Sequence, residues 1–283
     1  MRRFGVHTSI GGGLHLSLER ANALGCNTVQ IFSHNPRGWA VKGISEVEAS
    51  AFKSLRLSLD ISPVFIHTSY LINMASKDVL LRRKSISLLI IEMDRADFLG
   101  ADYVVLHTGT ASGEDEAAAR QRAIGALNQV SVAGRWKAGL LLENTAGERG
   151  DISSRVDALA EILNGVKGKL ISGICLDTCH AYAAGYNIRE ETGMRTLSWE
   201  MEKHIGTDPI KLIHFNDSKC VVGSRIDRHE HIGLGRIGMK GLCRFINYGP
   251  FRSIPLILET PKKQEADDPM NLAKLRKMIR TKQ

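Results

Sequence analysis

No stretch of this 283-residue sequence approaches the ~18 consecutive apolar residues that a membrane-spanning helix needs. No helical membrane anchor is therefore expected in it. The start, Met-Arg-Arg-Phe-Gly-Val-His, is basic but has no apolar run behind it long enough for a secretory signal. Cysteine is scarce. The five residues Cys26, Cys175, Cys179, Cys220 and Cys243 are odd in number and contain no Cys-x-x-Cys pair. That pattern excludes a disulfide scaffold and predicts free thiols in a reducing cytoplasm. Low-complexity tracts, internal repeats and Pro-rich linkers are also lacking, so no boundary divides the chain and one domain is expected over residues 1–283. With 43% hydrophobic and 24% charged residues, the composition is that of a globular protein, not a disordered or fibrous one. A chain of this length buries roughly 75% of its unfolded surface.

What the sequence does have is positive charge, +8 in formal net terms. Such a balance favours acidic partners, nucleic acid foremost among them. It also has short apolar runs at intervals along its whole length: Phe4–Val6, Thr28–Phe32, Val64–Ile66, Tyr103–Leu106, Gly139–Leu142, Ile171–Leu176, Lys211–Ile213 and Pro255–Leu258. Between them lie segments such as Asp78–Leu99 and Glu114–Trp136, apolar at three- and four-residue steps as helices are. Runs apolar on both faces suit a parallel sheet covered by helices. Eight such βα units predict an α/β protein built as a single TIM (β/α)8 barrel; a doubly wound open sheet is the second choice.

Six of the runs end on an ionisable residue: Val-Phe-Ile-His67, Val-Val-Leu-His107, Leu-Leu-Leu-Glu143, Ile-Cys-Leu-Asp177, Leu-Ile-His214 and Leu-Ile-Leu-Glu259. Asp and Glu number 30 and His 10 among the 283 residues, too few for this coincidence to be incidental at the face where barrels carry their chemistry. One such histidine alone would be a hydrogen-bonded structural group, and Glu259 alone a salt-bridge partner. Six on one rim would be costly without a cation. Imidazole and carboxylate donors favour Zn²⁺ over Mn²⁺ or Fe²⁺. Asp177-Thr-Cys-His180 adds a donor where the chain is expected to turn. Asp227-Arg-His229, in a Gly-rich loop, would present two donors on one side of extended backbone while Arg228 faces elsewhere. A catalytic zinc usually takes about three protein ligands, so nine candidates fit three ions. Cys179 reads as a buried thiol and His34 and His231 as bystanders. His7, at the first strand end, is expected to support the ligands instead of joining them.

His67-Thr-Ser-Tyr70-Leu-Ile-Asn73, Gly173-Ile-Cys-Leu-Asp177-Thr-Cys-His180-Ala-Tyr-Ala-Ala-Gly185 and His214-Phe-Asn-Asp217-Ser-Lys219 with Gly223-Ser-Arg-Ile-Asp227-Arg-His229 resemble, in order, three signatures of the endonuclease IV family of abasic-site endonucleases. Leu-Leu-Glu143-Asn-Thr-Ala-Gly and Ile-Leu-Glu259-Thr-Pro-Lys are similar as well, and the likeness runs from Val6 to Lys262. The resemblance implies a three-zinc TIM barrel that cleaves double-stranded DNA 5′ to abasic sites, with a metal-bridging hydroxide as nucleophile. His67, His107 and Glu143 would hold one ion. Glu143, Asp177, His214 and Glu259 would hold a second, with Glu143 bridging, and His180, Asp227 and His229 a third. Arg37, Tyr70 and Arg228 would be DNA contacts, although for Tyr70 core packing is the alternative. No obligate protein partner and no membrane are implied. Two departures stand out: Glu148 follows Gly147 where the family commonly has Gln, and the loop Ser33–Trp39 keeps the family's Arg and Trp positions but differs around them.

Two other functions compete on the same residues. A metal-dependent sugar isomerase or epimerase would use one or two ions and gain nothing from Asp227 and His229 or from basic charge. A non-catalytic DNA-binding barrel would have no use for so complete a donor set.

Overall fold

Strands that bury both faces need a plug inside and helices outside, and the chain supplies both. A computed structural model describes residues 2–206, 208 and 210–279. The barrel strands are β1 (Phe4–Val6), β2 (Val29–Phe32), β3 (Val64–His67), β4 (Tyr103–Leu106), β5 (Gly139–Glu143), β6 (Ile171–Asp177), β7 (Ile210–His214) and β10 (Leu256–Leu258). Between β7 and β10 a short antiparallel pair, β8 (Asp217–Ser218) and β9 (His229–Glu230), stands apart from the barrel. The eight barrel strands run parallel in the order β1-β10-β7-β6-β5-β4-β3-β2. A bridge between His7 and Gln30 joins β1 to β2, with the N–H of Thr8 donating to the carbonyl of Gln30 at 2.9 Å. Close approach at this seam demands a residue without a side chain: a Cβ on Gly5 would lie 1.9 Å from the carbonyl oxygen of Thr28.

Helices α1 (Leu14–Ala23), α2 (Glu46–Ser58), α3 (Val79–Leu99), α4 (Glu116–Ala133), α5 (Val156–Gly165), α7 (Glu191–His204), α8 (Gly238–Asn247) and α9 (Asp267–Met278) follow the barrel strands, with a short α6 (Thr178–Ala183) directly after β6. The expected helix over 78–99 begins one residue later, because Asp78 stays outside as its cap and accepts the N–H groups of Leu80 and Leu81. Asp115 does the same for α4. The strands depart from the apolar runs by a residue at most. Four of them simply include the ionisable residue that ends the run, while His107 and Glu259 follow theirs. The expected turn after Asp177 is helix α6, capped by the Asp177 carboxylate, which accepts the N–H of His180 at 2.8 Å. Among the described residues no helix is long and apolar enough to cross a membrane.

The interior plug explains where the chemistry lies. Phe65, Val105, Leu141, Cys175, Leu212 and Ile257 form a separate buried cluster inside the barrel, while their strand neighbours such as Ile66, Val104, Leu142 and Leu256 pack outward in the main core. Side chains alternate along a strand. The next inward positions are therefore His67, His107, Glu143, Asp177, His214 and Glu259, stacked on the plug at the C-terminal mouth.

Candidate metal centre and active site

Glu143 is the hub of this mouth. It is fully buried, and four imidazoles surround its carboxylate. Nε2 of His107 lies 3.1 Å and Nε2 of His67 3.5 Å from Oε2. Nδ1 of His214 lies 2.9 Å and Nδ1 of His180 3.3 Å from Oε1. His214 Nδ1 also meets Oε2 of Glu259 at 3.2 Å. Three sets have donor atoms within 4.8 Å of one another: His67, His107 and Glu143; Glu143, Asp177, His214 and Glu259; and His180, Asp227 and His229. Helix α6 swings His180 back over the mouth one turn after Asp177. Strand β9 places His229 with its Nε2 3.4 Å from Asp227 Oδ1 and 3.6 Å from Asp177 Oδ2.

Backbone carbonyls decide which nitrogen each imidazole offers. A carbonyl oxygen can only accept, so Nδ1–H of His67 donates to Thr68 at 2.9 Å, that of His180 to Asn144 at 2.9 Å and that of His229 to Glu259 at 3.0 Å. Each leaves Nε2 as a lone-pair donor. His214 is turned the other way. Gln30 gives its amide N–H to Glu259 Oε1 at 2.6 Å, so its carbonyl end accepts Nε2–H of His214 at 2.7 Å and Nδ1 faces Glu143.

The electrostatics are those of a cation site. Burial alone would raise the Glu143 carboxyl, yet His214 and His107 beside it hold it well below the usual carboxylate range. Asp227 is likewise held far down against its burial, by His180 and His229, and Glu259 by His214 and His7. Conversely, burial would lower His180, but Asp177 and Asp227 raise it well above its ordinary value. Burial would lower His214 too, and the carboxylates of Glu143 and Glu259 beside it likewise raise it well above its ordinary value. A metal fits these residues: Glu143 Oε2, His180 Nε2 and His229 Nε2 are buried atoms without a hydrogen-bond partner, and all three face the shared space.

A cavity of about 870 Å³ opens over the cluster, lined among others by Phe32, Tyr70, His107, Arg228 and Lys262. Tyr70 stands on its rim, 63% exposed, edge-on to Phe32 with ring centroids 5.2 Å apart; it is not a core residue. Arg37 is exposed on the neighbouring loop. Arg228 is exposed as well, 3.9 Å from Glu148.

Residues 18–282 match the family described as the xylose isomerase-like TIM barrel. A relative from Methanoculleus marisnigri named probable endonuclease 4 is 42% identical over 275 residues, covering 97% of this chain and 98% of that protein. The chain belongs to the endonuclease IV family. The solved structure of endonuclease IV from Thermus thermophilus superposes with a TM-score of 0.86 at 34% identity, covering 98% of each chain. A D-tagatose 3-epimerase-like protein gives a TM-score of 0.72 at 18% identity, over 98% of this chain and 96% of that one; this likeness is one of fold alone.

Within this endonuclease IV framework several residues have a supporting role that nothing in the sequence announces. Gln30 is one. Asn144 is another: it donates to the carbonyl of Asp177 at 3.2 Å and accepts that residue's N–H at 2.7 Å. Asn216 donates to Asp177 Oδ2 at 2.7 Å and accepts the N–H of Glu259 at 2.8 Å. Glu148, the departure from the family's Gln, accepts the backbone N–H of Asp227 at 3.0 Å and so braces the loop bearing Asp227 and His229. His7 sits beside the carboxylates, accepting from the Gln30 amide at 3.1 Å and lying 3.5 Å from Glu259; burial lowers its pKa. Cys175 and Cys179 also come within reach of the ligand sets, but burial pushes both thiols up to about 12, leaving them neutral. His34 and His231 lie outside the three sets, paired with Glu92 and Asp267.

Proposed function

We propose that this enzyme is a DNA-repair endonuclease that hydrolyses the phosphodiester 5′ to abasic sites in duplex DNA, leaving a 3′-hydroxyl and a 5′-deoxyribose phosphate. One observation carries the reading: nine ionisable side chains form three donor sets at the mouth of the barrel, two of which share Glu143. His67, His107 and Glu143 would hold one zinc ion, Glu143, Asp177, His214 and Glu259 a second, and His180, Asp227 and His229 a third. When bound, the ions would supply an activated water near neutral pH and offset charge on the phosphate.

The chain's own residues do the rest. Gln30 and the three backbone carbonyls hold the imidazoles in one tautomer and orientation. Arg37 and Arg228 offer cations to the DNA backbone, a salt-sensitive attraction. Tyr70, raised on Phe32, offers an aromatic face where a missing base leaves the stack open, and an abasic nucleotide is the easiest to turn out of the helix. Five free thiols fit an enzyme of the reducing cytoplasm, and nothing in this chemistry needs an obligate protein partner.

The test is direct. Purified protein should carry close to three zinc ions per chain, on the reckoning of about three protein ligands for each, and should nick a duplex holding a single abasic analogue. A fully active protein with one ion would sink the three-ion assignment. A protein that interconverts aldoses and ketoses and never nicks DNA would sink the function.

A further inference from the structure

Outside the three donor sets, a carboxylate on α3 is buried almost as completely as Glu143 and Asp177 within them. Glu92 lies in the apolar stripe of α3 beside Leu88, Leu89 and Met93, with 1% of its surface exposed. A charge at such a position is costly unless it is hydrogen-bonded, and both of its partners come from the rim. Glu92 Oε1 accepts the backbone N–H of Ser69 at 2.9 Å and lies 2.7 Å from Nε2 of His34. His34 is itself 8% exposed and stands three residues before Arg37; Ser69 immediately precedes Tyr70. A single oxygen thus ties the β2 loop to the β3 loop. The same two loops meet again at Pro36, whose carbonyl accepts the Ser69 hydroxyl at 2.7 Å and the N–H of Tyr70 at 3.2 Å. Three residues along α3 from Glu92, and so on the same face, Arg95 donates to the Ser33 hydroxyl at 3.0 Å and to the Lys42 carbonyl at 2.7 Å.

We propose that Glu92, paired with His34, is a positioning residue for substrate selection: it fixes Arg37 and Tyr70 relative to one another. The proposal rests on the functional reading above. Telling an abasic nucleotide from a paired one requires two rim side chains at a set separation, and loops hold separations poorly unless a buried network stiffens them. Neither His34 Nδ1 nor Glu92 Oε2 has a hydrogen-bond partner among the described residues, so the His34 side of the link depends on the one contact. Glu92 belongs to none of the three donor sets, and loosening it should disturb selection while sparing the centre.

Glu92→Gln keeps the shape and removes the charge. Three quantities are read on the full protein: zinc content, hydrolysis of bis(p-nitrophenyl) phosphate, and the ratio of nicking rates on abasic and intact duplex at one salt concentration. The expected result is a selection ratio lowered about tenfold, the scale of one charge-assisted hydrogen bond, with zinc content and small-diester turnover unchanged. A ratio that does not move overturns the proposal, as does a parallel fall in all three, which would mean a merely structural role. Should Glu92→Gln fail to fold, His34→Gln decides by the same outcomes. A parent that never nicks the abasic duplex overturns the functional reading itself, and this inference with it.

Discussion

Gln30 on β2 accepts the Nε2 proton of His214 across the barrel at 2.7 Å, and so decides that Nδ1 of that imidazole faces Glu143. The same amide donates to Glu259, so one neutral side chain orients two members of a donor set. Orienting partners of this kind typically contribute a factor of about 10–100 in metal affinity or activity. Gln30→Ala should therefore weaken zinc binding by that order in a chelator competition. An unchanged affinity would mean that packing alone orients His214.

Glu143 is common to two of the three sets, and among the described residues no other carboxylate meets four imidazoles. Replacing it with Gln preserves volume but leaves a neutral group that bridges cations poorly. Glu143→Gln should lower nicking by at least about a hundredfold, with an unaltered circular dichroism spectrum and DNA affinity. Activity within about tenfold of the parent would remove Glu143 from the bridging role.

Much of this site is legible in the sequence because it follows from strand periodicity. Six donors sit two residues beyond the apolar plug, and that step is visible as an apolar run ending on His, Glu or Asp. Asp227 and His229 obey the same step. His180 is legible only as a neighbour of Asp177, since the helix that turns it inward begins on an Asp cap that also reads as a loop residue. The supporting side chains are different. Gln30 meets His214 across 184 residues of sequence and Glu148 meets Asp227 across 79. Gln30 is locally no different from a solvent-facing polar residue, and Glu148 stands out only as a departure from the family's Gln, because contacts distant in sequence create both roles. Glu92 leaves a trace, a carboxylate inside an apolar helical stripe, but its partners lie in two loops.

Tyr70 is exposed and supported from below by Phe32, so its removal should leave the plug and the donor sets intact. Tyr70→Ala should keep the parent's zinc content and melting temperature. Its preference for abasic over intact duplex should fall by about tenfold, since stacking is worth ~1–3 kcal/mol per base. The check is the ratio of dissociation constants at a single salt concentration; an unaltered ratio would return Tyr70 to a passive surface role.

Protonation gives the metal-stripped protein a distinctive pH profile. His180 and His214 have pKa values raised well above 6.5, so their contribution is complete below that value and is lost as pH climbs through the raised values. Glu143 and Asp227 are lowered from 4.5 and 3.8, so theirs is complete above those values and lost as pH falls through the lowered ones. The chelated protein should therefore melt highest in the mildly acidic range and lose stability toward alkaline pH. Zinc should abolish the alkaline loss, because it binds neutral imidazole and takes over the countercharge. A chelated protein whose melting temperature climbs steadily from neutral into alkaline pH would contradict the assignment.

The third donor set separates phosphodiester hydrolysis from sugar chemistry. His180 Nε2 and His229 Nε2 lie 3.2 Å and 3.4 Å from the two oxygens of Asp227, whose backbone Glu148 anchors. If this set serves to stabilise the departing oxygen, His229→Ala should lose one zinc and slow nicking by about 100–1,000-fold. DNA affinity should fall much less, since Arg37 and Arg228 remain. Glu148→Ala, which keeps every donor but frees the loop, should show a smaller loss in the same direction, about 10–100-fold. The two variants together distinguish ligand from brace: zinc content drops in the first and weakens only under chelator challenge in the second. A His229→Ala protein that retains three ions and full nicking would take Asp227 and His229 out of the metal centre, and with them the feature that a sugar isomerase would have no use for.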